Sequence, residues 1–135
     1  MRTLIAFVLA TMLGACTPTV TAPLCPHATM TETRLYFGLS QPSGRLVTER
    51  QFADFVAAEV TPRIPEGFTI QDGHGFWKDG QTTRTISEAS KVLVHLHQAT
   101  PGSSALMDAI ADAYKQRFRQ ESVLRTDAPA CVEFR

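Results

Sequence analysis

His95 and His97 stand two residues apart in a stretch that alternates with apolar residues, so on a strand both imidazoles project from the same face. Val92, Val94 and Leu96 take the other parity and are expected to face a hydrophobic layer. That assignment puts Lys91, Leu93, His95 and His97 on the open side of a sheet, together with Arg34 and Tyr36 from an earlier strand. A His-x-His pair there supplies two ligands for zinc or copper, and a site needs a third. Neither Arg34 nor Tyr36 is a natural third ligand, and solvated or interfacial histidines are the plain alternative. His74 lies between Gly73 and Gly75, with Asp72 nearby. It reads either as a general base oriented by a carboxylate or as an outward ring on a tight bend formed by the glycines. Ser87 and Ser90 lie on a strand without the sharp elbow that presents a nucleophile, so the bend is the simpler reading. Trp77 reads as a hydrophobic lid on the sheet edge. Glu88 shares parity with Ile86, Val92 and Val94, which turns it toward the helix layer. A carboxylate there requires a cation such as Arg117 or Arg125.

The cysteines carry a different chemistry. Cys16 ends the run Leu13-Gly14-Ala15-Cys16, an aliphatic residue three positions before a cysteine with small residues between, as in a bacterial lipobox. The thiol of such a cysteine takes a diacylglyceryl group, and the small neighbours give a peptidase access to the bond before it. Arg2 supplies a positive n-region and Leu4 to Leu13 an apolar h-region of signal-peptide length. Residues 1–15 are therefore expected to be a signal peptide, and residues 16–30 a lipid-attached linker rich in proline and threonine. With Cys16 acylated, Cys25 and Cys131 remain as an even pair for an oxidising compartment. Thr17 follows the lipidated position rather than Asp, which favours the outer membrane in a Gram-negative host. The expected location is the periplasm or cell envelope.

Composition narrows the remainder. The chain has 135 residues, 44% hydrophobic and 19% charged, with thirteen Lys and Arg against thirteen Asp and Glu. That balance lacks the positive field that draws proteins onto phosphate backbones, so no nucleic-acid partner is expected. Residues 31–135 suit one globular domain.

The elements that must position these side chains follow from periodicity. Leu35, Phe37 and Leu39 alternate as a first strand. Thr48 and Gln51 form a capping box ahead of Phe52, Phe55, Val56 and Val60 at helical spacing, and Thr61-Pro62 stops that helix. Residues 68–71 make a second strand, and the glycine-punctuated segment 72–80 is expected to bend. A long third strand runs from about 83 to 97. Residues 101–104 break the chain and offer an N-cap. Leu106, Ile110, Ala113, Tyr114 and Phe118 mark a second helix. A last strand spans 122–134, divided or not at Asp127-Ala128-Pro129. The order β-α-β-β-α-β predicts an α+β, ferredoxin-like fold with two helices on one face of a four-stranded antiparallel sheet. In that topology the last strand ends where the first begins, so Cys25 and Cys131 should meet. Their bridge would contribute ~4–5 kcal/mol on the chain-entropy account.

Several segments then resemble one family. Leu35-Tyr36-Phe37-Gly38-Leu39, Val60-Thr61-Pro62-Arg63-Ile64-Pro65, Gly75-Phe76-Trp77, Ser90-Lys91-Val92-Leu93, Tyr114-Lys115-Gln116-Arg117-Phe118 and Gln120-Glu121-Ser122-Val123-Leu124-Arg125 are the pieces, with Cys131-Val132 after them. Together they resemble the bacterial domain of unknown function 3574 over roughly residues 31–135. The resemblance implies a small secreted protein or lipoprotein and implies no catalytic residue. The function expected is a non-enzymatic binding or assembly module, without cofactor, held to a membrane by lipid. Its open sheet face would meet a protein partner or a second copy through Arg34, Tyr36, Lys91, His95 and His97, with His74 as a further contact. The alternative is a small envelope enzyme, such as a metal-assisted hydrolase, using His95, His97 and His74.

Overall fold

The structure is a computed structural model that describes residues 25–78, 80 and 82–135. The leader, Cys16 and the first part of the tether lie outside the described residues. Strands β1 (Ala28–Gly38), β2 (Thr69–Lys78), β3 (Thr85–His97) and β4 (Leu124–Val132) alternate with helices α1 (Glu49–Phe55) and α2 (Pro101–Phe118) in the expected order β-α-β-β-α-β. The strands form one antiparallel sheet in the order β2-β3-β1-β4.

Thr48 caps α1 in a reciprocal capping box with Gln51. The helix continues as a π-helical stretch, Val56–Val60, closed by the Thr61 amide donating to the Val56 carbonyl at 2.9 Å. Thr100, rather than a residue of 101–104, caps α2. Pro101 occupies its first turn, where the missing N–H costs nothing. The core joins Leu35, Phe37 and Leu93 of the sheet to Phe52, Phe55 and Val60 on one helical segment and Met107, Ile110, Tyr114 and Phe118 on the other. The Phe37 ring lies 5.9 Å from Phe52, 5.8 Å from Phe55 and 4.5 Å from Tyr114, so both helices pack on the side to which the odd-numbered residues of β1 point. Tyr114 anchors that contact by donating its hydroxyl to the Gly38 carbonyl at 2.8 Å.

Two expectations are corrected, and one alternative left open is decided. β1 begins at Ala28, inside the stretch read as linker. β2 does not stop at residue 71. It runs through Gly73 and Gly75 to Lys78, and neither glycine takes a positive φ. What Gly73 provides is room, since a Cβ there would meet the Ser90 Oγ at 2.7 Å. β4 is unbroken across Asp127-Ala128-Pro129, because an edge strand tolerates a proline whose absent N–H would have pointed outward. Cys25 and Cys131 form the expected disulfide, with their Cα atoms 5.4 Å apart, and it closes β4 onto the start of β1.

Candidate functional site

The register decides which side chains share a face. Leu35 is opposite Leu93, Phe37 opposite Lys91, Thr33 opposite His95 and Thr31 opposite His97. Because Leu35 and Phe37 belong to the core, Lys91, Leu93, His95 and His97 point toward the helices. This reverses the parity expected for β3. Val92, Val94 and Leu96 lie on the bare side with Arg34 and Tyr36, which are where they were expected. Val92 is nonetheless only 8% exposed, because its cross-strand neighbours Tyr36 and Gln71 flank it. An apolar alternation thus marked the wrong face. The true inner face disguised itself with one lysine and two histidines, all buried and all hydrogen-bonded.

The two imidazoles are built into a polar network at one end of the sheet. Their rings stack 5.2 Å apart. His95 Nδ1 lies 2.9 Å from the Gly67 carbonyl, which can only accept, so the proton sits on that nitrogen. Burial holds the His95 pKa below its ordinary value, offset in part by that bond. His97 Nδ1 likewise meets the Gln98 carbonyl at 2.8 Å, and its Nε2 is 2.8 Å from the fully buried Thr33 hydroxyl. Thr33 in turn donates to Asp127 at 2.5 Å. Arg125 holds the same carboxylate through its Nε at 3.0 Å, and reaches Asp108 at 2.7 Å and the Ser104 carbonyl at 3.1 Å across to α2. The Thr33 hydroxyl, and after it Arg125, keep the Asp127 carboxyl below the usual range. Beside Asp127 an open groove of about 440 Å³ is lined by Thr29, Thr31, Gln98 and Pro129.

Midway along β3, Lys91 places its ammonium 5.9 Å from the Phe52 ring centre and donates to Asp72 at 2.5 Å and Glu49 at 2.8 Å. Those bonds, Asp72 first, raise its pKa. Asp72 is therefore committed to Lys91 and not to His74. His74 is in β2 rather than on a bend, and its Nε2 contacts the Ser87 Oγ at 2.6 Å. Ser87 lacks a nucleophile elbow, yet the β2–β3 register brings it to the imidazole. His74 is opposite Ala89, six positions along β3 from His95 and so roughly 20 Å away. The three histidines of the enzyme alternative do not converge. Among the described residues, no group of three His, Cys, Asp or Glu side chains could hold a metal ion.

Glu88 is also corrected. It faces the bare side, lies over Gly38, and accepts from the Ser40 amide at 2.7 Å rather than pairing with Arg117 or Arg125. Thr33, Asp127 and Arg125 are the network residues whose connection the sequence hid, because the β1–β4 register that sets Thr33 opposite Asp127 is not written in either strand alone. The bare face itself carries Tyr36, Val92, Val94 and Leu96, then Leu124 at 60% and Trp77 at 51% exposure. Arg34 sits among them, paired to Glu32 at 2.7 Å.

A family model described as "Protein of unknown function (DUF3574)" matches residues 32–134. No curated protein matches the chain in sequence. Among solved structures, a phage SAM lyase in complex with S-methyl-5'-thioadenosine is similar, with a TM-score of 0.60 and 16% identity over 73% of this chain and 80% of that one. The apo state of a phage SAM lyase gives 0.56 and 15% over 79% and 93%. At such identity the likeness concerns the fold alone.

Proposed function

The chain belongs to the DUF3574 family of proteins of unknown function, and from that premise we propose that it is a lipid-anchored, ferredoxin-like binding module of the bacterial cell envelope. Acylated Cys16 tethers it, the segment up to residue 27 spaces it from the membrane, and the bare face of its sheet grips an apolar protein surface. One observation carries this reading: with Lys91, His95 and His97 turned inward, the uncovered face presents an apolar patch of Leu124, Tyr36, Val92, Val94 and Leu96, with Trp77 beside Ile86 as a separate apolar spot farther along the β2–β3 arm. The Arg34–Glu32 pair lies within this patch, opposite Val94 and Leu96, so the face mixes apolar contact area with charged groups as protein interfaces do. The reading calls for no cofactor and no nucleic acid.

A second reading, a small enzyme, draws on the 2.6 Å contact between His74 and Ser87, the pairing of a nucleophile with a base. The carboxylate that would orient the imidazole is engaged by Lys91, and this ranks it below the first.

Photo-crosslinking in cells tests the binding module. A benzophenone side chain at Tyr36 or at Thr126 should give adducts of one size, lost when Val94→Arg is added, and the same group at Gln116 on the outer side of α2 should give none. Equal adducts from Gln116, or none from the bare face, would contradict it. Palmitate labelling that persists in Cys16→Ala would refute the anchor separately.

A further inference from the structure

The sheet has two edges, and they are treated differently. β4 is blunted by Pro129, which removes a donor and discourages a further strand. β2 has no proline and, among the described residues, only β3 as a ladder partner. It also displays the two most conspicuous aromatics of the sheet on opposite sides, Phe76 at 70% and Trp77 at 51% exposure. An edge of this kind accepts another strand.

We propose that two copies of this chain pair antiparallel through their β2 edges about a two-fold axis at Gly75. Compared with the axes at the neighbouring residues, the sequence of β2 is self-complementary in that register. Asp72 lies opposite the second copy's Lys78, an opposite-charge pair made twice. Gly73 lies opposite its Trp77, so each indole covers the backbone of a glycine, as aromatics do across strands. His74 lies opposite its Phe76, two rings side by side, and Gly75 opposite Gly75 lets the chains approach at the axis. Moving the axis to His74 sets Asp72 opposite Phe76, and moving it to Phe76 sets Asp72 opposite Gly80, past the end of the strand. The Gly75 register is isologous and closes, as dimer symmetry requires. It keeps both helix layers on one side of an eight-stranded sheet and joins the two bare faces on the other. The dimer thus goes beyond the binding-module reading: it stands if the bare face has no partner and doubles that face if it has one.

The test uses the full chain with Cys16→Ser, so that an introduced thiol is the only free one beside the Cys25–Cys131 bridge. Gly75→Cys fits without strain, since the nearest atom to its Cβ is the Glu88 carbonyl oxygen at 3.9 Å. Under mild oxidation it should form a disulfide-linked dimer at least about tenfold faster than Gly80→Cys, and light scattering of the parent chain should give twice the monomer mass. Adding Lys78→Glu, an exposed change, should slow the crosslink and weaken the dimer by about tenfold, because both ion pairs become repulsive. A parent chain that remains a monomer, a Gly75→Cys crosslink no faster than that of Gly80→Cys, or indifference to Lys78→Glu would overturn the proposal. Photo-crosslinking from Tyr36 is read independently of these outcomes.

Discussion

His95 shows how a buried polar residue makes stability depend on pH. Its nitrogen bonds a carbonyl, its ring stacks on His97, and burial depresses its pKa. The groups facing it include His97 on its own strand and Glu66 beside the Gly67 turn, of which His97 pushes the pKa down and Glu66 up. A histidine whose folded pKa lies below its unfolded value, ordinarily about 6.5, leaves the unfolded chain binding more protons, so stability rises with pH through that window and is lost as pH falls below it. Asp127 adds to this at lower pH: its depressed carboxyl stabilises the fold above about 3.9, and that contribution is lost as pH falls through the folded value. Urea unfolding should therefore show a drop in stability between pH 7.5 and 5.5. His95→Gln, which keeps a donor for the Gly67 carbonyl but does not titrate, should flatten that part of the profile. An unchanged slope would place the proton uptake elsewhere.

At the level of elements, capping, breaks and core periodicity were legible, and faces and strand ends were less so. Thr48 and Gln51 announced α1 because a capping box is local chemistry, contained within four residues. Thr48→Ala should accordingly cost about 1 kcal/mol in the same urea measurement, with Thr48→Asp close to neutral. A loss below a few tenths would mean that the Phe52 and Phe55 contacts hold the helix start unaided. β2 was misjudged because glycines weaken a strand locally, whereas here β3 supplies the ladder and Gly73 makes room for Ser90. β3 was misjudged in parity because sequence reading counts Lys and His as outward residues. Lys91 can go inward since its ammonium lies over the Phe52 ring and reaches two exposed carboxylates. Which of two alternating sets faces the core was fixed by Phe37 and Leu35 through the β1–β3 register, information spread over two strands.

As a whole molecule the domain is two-sided, with aromatic helices clasping one face of the sheet and a bare face of interleaved apolar and polar side chains on the other. The disulfide and the expected tether leave from the Cys25–Cys131 end, while the β2–β3 arm with Phe76 and Trp77 extends past the other end of β1. This orientation would carry the arm away from a membrane that holds Cys16. The closest test of the two-sidedness is thiol protection at adjacent positions of β1, in the Cys16→Ser chain. Arg34→Cys should react with maleimide within the native state at nearly the rate of the unfolded chain. Thr33→Cys, nearly isosteric and directed under the helices, should stay protected until urea unfolds the protein. Equal native reactivity at both positions, or protection of residue 34 in place of 33, would contradict the account.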